Sequence, residues 1–519
     1  MPQTDYIAVS GPAFSAAELD ALLSSALERA FSDLASGVPL PGPAQSRGAG
    51  SVLVLPPDLT RIHSGAGPLT AAVCRFLAAC EGGSLPPGPE PSVPGAPPSA
   101  GLRPATPRRN WRLGAIMPAL GTHRPLGPEE IAFMFPGCPP DKFLPHFWRE
   151  DAVELGRLSA EWVEAAFTGR AASGGPEFSG GRVFRGGWPV QVNRVLRDGL
   201  PPDSGGPPAP FSLVISIGQV APHEVAGMAN HTKNVFVGTG GAEAINKSHY
   251  LGALYGLERI MGKAETPVRA LFDEAFRRYG SLLPPVLWVL TVVDSAGTIR
   301  GLFSGFGRSC FEKASALSER VNISCLEEPA PKVVVWLNPV EYRSMWLGNK
   351  AVYRTRMAIA AGGELVVLAP GLECFGEDGE NDALIRRYGY RGAEWIRRAV
   401  EADGAGLSSG ANPPVSLSAA AHLIHGSSEG RFSIRYCTRP GRGPGRKEIE
   451  AAGYAWGNLD EAVARYVPEL QNACSEQNAN DSAAPKTGWK TSPGGEHFYF
   501  VANPALGLWR AAAGNDDCI

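Results

Sequence analysis

Residues 211–249 read FSLVISIGQVAPHEVAGMANHTKNVFVGTGGAEAINKSH, and this stretch decides the fold. It begins with an apolar run, rich in β-branched side chains and bounded by Pro and Gly, which predicts a buried parallel strand. From Ala242 to Met261 apolar residues recur at helical spacing, which predicts a helix. His223 follows the strand, Lys233 lies in the connection, and His249 projects from the helix. Because open α/β sheets bind ligands beyond the carboxyl ends of their strands, we expect a binding site here.

Strand and helix signals alternate on both sides of this stretch. Apolar strands are predicted at 51–57 and 113–120 upstream, and a second series of strands begins at 285–293. This alternation predicts an α/β fold with mostly parallel sheets covered by helices. A chain of 519 residues exceeds one typical core. We therefore predict two α/β domains, residues 1–280 and 281–519, with the active site in the crevice between them.

Composition narrows the classes of function. The net charge is −3, and Lys and Arg are scattered among acids, so nucleic acid is not an expected partner. No apolar run reaches the roughly twenty residues that span a bilayer. The N-terminus lacks the basic and apolar regions of a secretory signal, which favours a cytoplasmic protein with no membrane partner. Residues 82–108 are rich in Pro and Gly, and we expect a surface insertion without function there.

Polar residues follow three predicted strands in the first half of the chain. Asp58 and Arg61 follow the first of these strands, His123 follows the second, and His223 follows the third. Successive strand ends of this kind indicate one shared crevice. A guanidinium can hold a carboxylate through two parallel hydrogen bonds, so Arg61, oriented by Asp58, suits an anionic substrate.

His123 and His223 form a candidate acid/base pair. An imidazole titrates near neutral pH, so two of them on opposite faces of a substrate suit a reaction that inverts a stereocentre. Each histidine taken singly also fits a hydrogen-bonding loop residue. Lys233 likewise fits a solvated lysine, and His249 fits a histidine on a helix surface. Spacing alone leaves these alternatives open.

Several short segments together resemble the nickel-dependent lactate racemase family. They are DLTR (58–61), GTHRP (121–125), PHEVAG (222–227), the segment from Lys233 to GTGG, and NKSH (246–249). Their order is that of the family, as are the intervals of ten residues from His223 to Lys233 and sixteen from Lys233 to His249. The resemblance covers most of residues 50–280 and extends more loosely over the second half.

The resemblance implies a racemase or epimerase that inverts C2 of a 2-hydroxy acid. Members of the family bind a pyridinium-3,5-bisthiocarboxylic acid mononucleotide, whose two sulfur-containing arms hold nickel as a pincer. By this resemblance Lys233 tethers the cofactor as a thioamide, and His249 is the protein ligand to nickel. Square-planar coordination by nitrogen and sulfur is a geometry that Ni(II) favours. Proteins that synthesise the cofactor would act as partners in trans.

The same resemblance assigns the remaining site residues. His123 and His223 would remove and restore the proton of the substrate hydroxyl, while the C2 hydrogen is exchanged with the cofactor as hydride through a bound 2-keto acid. Arg61, held by Asp58, and Lys350 would bind the substrate carboxylate. The cofactor would carry the difficult step, and the protein would supply orientation and charge.

The chain departs from the family pattern beside two of these residues. Before the tethering lysine the family usually has a glycine pair, whereas this chain has Asn230, His231 and Thr232. A family glutamine three residues before Lys350 is Leu347 in this chain. These replacements alter groups that would touch a small substrate. They predict a hydroxy acid larger than lactate, such as a sugar acid epimerised at C2.

The residues also allow two other functions. One is a zinc-dependent hydrolase that uses His123, His223 and His249, although these ligands come from three distant elements and no HExxH motif is present. The other is a non-catalytic paralogue that binds the hydroxy acid or the cofactor. The presence of Lys233 and of both candidate acid/base histidines favours the enzyme over the paralogue.

Overall fold

The structure of the chain is a computed structural model. It describes residues 5–37, 50–81, 111–169, 178, 180–201, 208–402, 416–474 and 485–512. The Pro-rich insertion predicted at 82–108 lies outside the described residues.

The strands of the described residues are numbered in chain order. They are β1 (Asp5–Ser10), β2 (Ser51–Leu55), β3 (Arg112–Ile116), β4 (Ala152–Leu158), β5 (Trp188–Asn193), β6 (Leu213–Gln219), β7 (Pro222–His223), β8 (Gly227–Met228), β9 (Val286–Val293), β10 (Ile299–Gly305), β11 (Ile323–Leu326), β12 (Ala330–Trp336), β13 (Ile359–Leu368), β14 (Ser433–Thr438), β15 (Ala455–Asn458), β16 (Gly488–Thr491), β17 (His497–Val501) and β18 (Leu508–Ala511).

The α-helices are numbered in the same way. They are α1 (Ala16–Ala35), α2 (Ala66–Cys80), α3 (Pro128–Met134), α4 (Ala160–Thr168), α5 (Gly181–Phe184), α6 (Arg194–Asp198), α7 (Ala242–Tyr255), α8 (Leu257–Ile260), α9 (Pro267–Tyr279), α10 (Ser309–Asn322), α11 (Met345–Gly348), α12 (Lys350–Thr355), α13 (Gly379–Tyr388), α14 (Ala393–Ala402), α15 (Leu417–His425), α16 (Arg446–Ala451) and α17 (Leu459–Tyr466).

The chain divides into two compact units. Unit 1 comprises Met1–Ala166, Gly186–Ile245 and Lys263–Val321, and unit 2 comprises Phe167–Arg185, Asn246–Gly262 and Asn322–Ile519. This division differs from the predicted boundary at residue 280, because unit 1 extends to Val321 and unit 2 includes two earlier segments of the chain.

Unit 1 is built on a six-stranded sheet with the order β1-β10-β9-β6-β2-β3. Strand β2 pairs in parallel with β3 and β6, and β6 pairs in parallel with β9. Strands β10 and β1 complete the other edge with antiparallel pairing. Because β6, β2 and β3 are parallel neighbours, their carboxyl ends lie at one edge of the sheet.

Strand β9 belongs to the first sheet, and its sequence-based assignment to the second series is wrong. All eight of its residues are buried. In a strand that is buried on both faces, water cannot reach the backbone N–H and C=O groups. These groups therefore need hydrogen-bond partners from a neighbouring strand on each side. Strand β9 finds them in β6 and β10. Local sequence carries no information on which sheet supplies those neighbours.

Helices α1 and α2 cover one face of this sheet. Buried leucines of the two helices pack in one hydrophobic core with valines and isoleucines of β2 and β6. Ser15 and Glu18 form a capping box that satisfies backbone N–H groups at the start of α1. The apolar stripe and the cap together explain why the helix begins where it does.

Unit 2 contains a second six-stranded sheet, with the order β15-β14-β13-β12-β17-β16. Its pairings are parallel from β15 through to β17, and β16 joins β17 in antiparallel fashion. The core on one face combines β12 and β13 with apolar residues of α17. The predicted fold class, α/β with mostly parallel sheets, is confirmed. Within the described residues, every helix is too short or too polar to cross a bilayer.

Candidate active site

Four of the predicted site residues follow neighbouring parallel strands of unit 1. Asp58 and Arg61 come after β2, His123 comes after β3, and His223 lies just beyond β6. Because β6, β2 and β3 are adjacent and parallel, these side chains are carried by one edge of the sheet. The structure therefore brings together residues that are far apart in sequence.

Asp58 is a buried carboxylate that orients His123. It is 5% exposed. One of its oxygens accepts a hydrogen bond from His123 Nδ1, and the other accepts from Thr60 Oγ1 at 2.6 Å. Burial raises the pKa of Asp58, but the charge and hydrogen bond of His123, with smaller contributions from Thr60 and Arg61, bring it below its ordinary value. Asp58 therefore stays ionised and holds the Nδ1–H tautomer of His123, whose Nε2 is then the basic nitrogen.

His223 is held in the opposite tautomer. Its Nδ1 accepts a hydrogen bond from the backbone N–H of Val225 at 3.1 Å, with a longer contact to the N–H of Ala226 at 3.5 Å. A ring nitrogen that accepts a hydrogen bond carries no proton, so the neutral ring has its proton on Nε2. His223 is buried, whereas the side chain of His123 is 46% exposed. The pair thus offers one proton acceptor and one proton donor.

Lys233 immediately precedes a π-helical turn, Asn234–Gly238. Such turns are rare and often occur at functional sites. The next residue, Asn234, fixes the turn to the sheet, since its amide nitrogen donates to Ser216 Oγ at 2.8 Å. Burial, and next the positive charge of Arg61, lower the pKa of Lys233 to about 8, against the opposing charges of Glu224 and Asp58. Its amine is therefore less protonated at neutral pH than that of an ordinary lysine.

The π-helical turn is also joined to the loop that carries His123. The N–H of Gly121 donates to the carbonyl of Gly238 at 2.9 Å. A Cβ at Gly238 would lie 2.7 Å from the Cβ of Ala119, so the two segments approach too closely for any other residue. This explains the first glycine of the GTGG motif and connects the histidine loop to the lysine turn.

Two predicted site residues, His249 and Lys350, belong to unit 2. His249 lies in α7 and Lys350 is the first residue of α12. The ammonium nitrogen of Lys350 lies 5.7 Å from the ring centroid of Tyr342, within the range of a cation–π interaction. Leu347 lies in α11 just before Lys350. The roles predicted for His249 and Lys350 remain predictions.

Sequence reasoning missed a buried pair that supports the GTGG loop. His146 Nε2 donates to the carbonyl of Gly240 at 3.1 Å, and its Nδ1 accepts from the side-chain amide of Asn193 at 2.9 Å. The backbone N–H of Asn193 donates to the carbonyl of Thr239 at 2.6 Å. These partners are 94 and 47 residues away from His146 in the chain, so no local pattern identifies them.

We expect the His146→Gln variant to lose part of the pH dependence of stability. Burial lowers the pKa of His146 to about 4, which outweighs the opposing effects of Asp151 and Gly240. Between about pH 6.5, where a histidine of the unfolded chain titrates, and about pH 4, the unfolded state binds more protons, so stability falls as pH falls. The linkage predicts that the wild type loses about 2 kcal/mol more than the variant from pH 7 to pH 4.5. Urea unfolding at both pH values measures this, and equal losses would contradict it.

The residues of unit 1 fit a cofactor tethered through a lysine amine. An amine must be unprotonated to form an amide or thioamide bond, and the lowered pKa of Lys233 favours that form. Arg61 supplies positive charge near the amine, as its effect on the pKa of Lys233 requires. Lys233 and Arg61 are therefore suited to hold an anionic group that is bound covalently at the lysine.

The fold of the chain is similar to that of two solved structures. A crystal structure of a protein from Thermotoga maritima aligns with a TM-score of 0.66 and 17% identity, over 97% of this chain and 100% of that chain. The lactate racemase apoprotein from Thermoanaerobacterium thermosaccharolyticum aligns with a TM-score of 0.59 and 13% identity, over 97% of this chain and 94% of that chain. No protein-family model and no curated protein sequence matches the chain. The chain therefore shares the fold of lactate racemase over nearly its whole length.

Proposed function

We propose that the chain is an isomerase that inverts C2 of a 2-hydroxy acid. One observation carries this proposal: two histidines follow β3 and β6, the strands on either side of β2, and are held in opposite tautomers by hydrogen bonds at Nδ1. Asp58 and Arg61 follow β2, between them. Inversion through a 2-keto acid needs a group that takes the hydroxyl proton as the ketone forms and a group that returns a proton to that oxygen when the other stereoisomer is completed. The fold shared with lactate racemase supports the same reaction class.

In this proposal His123 accepts the hydroxyl proton of one stereoisomer through Nε2. The negative charge of Asp58 stabilises the imidazolium that forms, because the carboxylate is already hydrogen-bonded to Nδ1. His223 donates its Nε2 proton to the oxygen when the opposite stereoisomer is completed. In the reverse direction the two histidines exchange roles, so each must be able to hold either protonation state.

Lys233 and His249 are the residues that would hold a nickel-pincer pyridinium mononucleotide. Lys233 would tether it as a thioamide, and His249 would be the protein ligand to nickel. When bound, the group supplies an acceptor and donor for the C2 hydrogen as hydride. Because the group would bring its own ligands to nickel, His249 would be the one ligand needed from the protein. Proteins that synthesise the group would act on the chain in trans.

Arg61 and Lys350 would bind the carboxylate of the substrate, and this assignment gives Asp58 a different role from the predicted one. The carboxylate oxygens of Asp58 accept from His123 and Thr60, so we now assign it to orienting His123 rather than Arg61. With Leu347 in place of a polar family residue, the substrate we propose is larger than lactate, such as a sugar acid. The non-catalytic paralogue remains an outcome of the test below.

The zinc-dependent hydrolase is not proposed. Across the described ranges, no three His, Cys, Asp or Glu side chains are gathered in a way that could hold a metal ion. The Nδ1 atoms of His123 and His223 are engaged by Asp58 and by backbone N–H groups, respectively. A catalytic zinc site needs about three protein ligands, so the donor set does not favour this alternative.

The test of the proposed function is inversion of a single stereoisomer. The chain is produced in cells that synthesise the cofactor and is incubated with 2-hydroxy and aldonic acids, which are then resolved by chiral chromatography. We expect a mononucleotide-sized mass adduct, nickel close to one equivalent, and inversion of at least one acid with little solvent deuterium at C2. Adduct without inversion of any acid would favour the paralogue. Zinc without adduct would favour the hydrolase.

A further inference from the structure

Arg269 is a fully buried cation beside the lysine turn, and neither the fold nor the proposed acid/base chemistry accounts for it. It lies in the first turn of α9 and is 0% exposed. Its guanidinium lies 4.4 Å from the ring centroid of Phe311. Burial lowers the pKa of Arg269 to about 10, against the opposing charge of Asp273. A charge in such a place is costly unless its hydrogen bonds have a structural purpose.

The hydrogen bonds of Arg269 converge on the segment just before Lys233. Its Nη1 donates to the carbonyl of Asn230 and to Thr232 Oγ1, both at 3.1 Å. Its Nη2 donates to the carbonyl of Met228 at 2.5 Å. One planar guanidinium thus holds three points on a five-residue segment, and its rigid, widely spaced donors suit these acceptors better than a compact ammonium would.

The held segment has an unfavourable backbone conformation. Asn230 and His231 have φ values of 65° and 56°, in the left-handed region that non-glycine residues seldom adopt. The His231 ring packs 4.3 Å from the ring centroid of Trp288 and 5.0 Å from that of Phe311. Two consecutive left-handed residues persist only where their surroundings impose them. Arg269 and the two aromatic rings supply those surroundings.

Thr232 makes a second link between the segment before Lys233 and α9. Its hydroxyl donates to Asp273 Oδ1 at 2.6 Å, and Arg308 Nη1 donates to Asp273 Oδ2 at 2.6 Å. On the other side of Lys233, Asn234 is fixed to Ser216 of β6. The lysine therefore lies between two anchored residues, so its backbone has little freedom.

We propose that Arg269 is a positioning residue for Lys233: its guanidinium imposes the left-handed turn at Asn230 and His231, and that turn sets the direction of the lysine amine. The inference rests on the proposed function only for the use of the amine as a tether. The turn and its anchors belong to the free protein. They can therefore be tested without the cofactor.

The test compares Arg269→Met with Arg277→Met in cofactor-free protein. Arg277 lies in the same helix, its side chain is 68% exposed, and it pairs with Glu274, so it controls for the loss of an arginine from α9. Amide hydrogen exchange of residues 229–238 should become at least about tenfold faster in Arg269→Met. It should be unchanged in Arg277→Met. Equal exchange in the two variants would overturn the proposal.

A second readout is the reactivity of the Lys233 amine. Acetic anhydride labelling at a series of pH values, read by peptide mass spectrometry with exposed Lys263 as internal reference, gives the pH midpoint of Lys233. In Arg269→Met this midpoint should rise from about 8, because the variant loses a nearby positive charge and exposes the amine. An unchanged midpoint would contradict the proposal.

Thr232→Val keeps the test decisive if Arg269→Met does not fold. The valine has nearly the same shape but removes the hydroxyl that joins Arg269 to Asp273. We expect amide exchange of residues 229–238 in this variant to be faster than in the wild type, and its Lys233 labelling midpoint to be higher, and wild-type values would overturn the inference. If the wild type carries no adduct when made with the cofactor, the proposed function fails while these measurements still decide the role of Arg269.

Discussion

Replacement of Lys233 with arginine is expected to remove the cofactor adduct and to lower turnover of any 2-hydroxy acid by more than about 10⁴-fold, since the cofactor would carry the difficult step. Arginine keeps the length and positive charge of lysine, but its guanidinium stays protonated and cannot form the covalent bond. The variant therefore removes the covalent bond to the cofactor while it keeps a positive charge at position 233. Intact-protein mass spectrometry and chiral chromatography of the same preparation measure both effects.

The matched control for this variant is Lys263→Arg. Lys263 is an exposed lysine of unit 1. It should keep the adduct, the nickel and the turnover of the wild type. A Lys233→Arg protein that still carries the adduct would show that another residue is the tether, and one that still inverts substrate without an adduct would show that a cofactor tethered at Lys233 is not needed for the reaction.

Much of the fold follows from local patterns. Strands β2, β6 and β9 are continuous apolar runs, and α1 and α9 show apolar periodicity with caps, so their positions are predicted within a few residues. Which strands pair with each other is harder to predict from the sequence. Strand β10 begins IRG and pairs antiparallel with β9, and its glycines and arginine weaken the strand pattern. Backbone groups find partners through the whole sheet, which local sequence does not encode.

The candidate site was predictable where a general rule links sequence to position. Asp58, His123 and His223 each follow a strand, and parallel neighbours bring such residues to one edge. The hydrogen bond between Asp58 and His123 joins residues 65 apart, and local spacing instead predicts Arg61 as the partner of Asp58. The rule places both residues beyond the carboxyl ends of adjacent strands, whereas the specific bond depends on side-chain geometry.

The buried residues that support the site, Arg269 and His146, also depend on contacts between distant parts of the chain, so they could not be predicted. Arg269 lies on a helix that also carries Arg277 and Arg278, and arginines in such a sequence usually face solvent. Only its contacts with Met228 and Asn230, about 40 residues away, reveal that it is buried. His146 is similar, since its partners are Asn193 and Gly240. Buried polar networks are defined by tertiary contacts, and a single sequence has no signal for them.

The tautomer of His123 is the second feature with a large expected effect. An ionised Asp58 accepts from Nδ1–H and leaves Nε2 as the base. An asparagine at position 58 can instead donate its amide N–H to Nδ1, which moves the imidazole proton to Nε2. The base is then lost although the ring keeps its place. Such a change acts on proton transfer and leaves binding of the carboxylate by Arg61 intact.

We therefore expect Asp58→Asn to lower kcat by about 10²–10⁴-fold, the range that general acid/base catalysis contributes, with KM little changed. The adduct at Lys233 should remain, and thermal unfolding should show that the variant is folded. Asp20→Asn, which removes a partly exposed carboxylate paired with Arg75, should keep wild-type kinetics. If Asp58→Asn instead raised KM and left kcat unchanged, Asp58 would serve Arg61 and the substrate carboxylate, and its assignment to His123 would be wrong. The division between kcat and KM thus decides which of its two neighbours Asp58 serves.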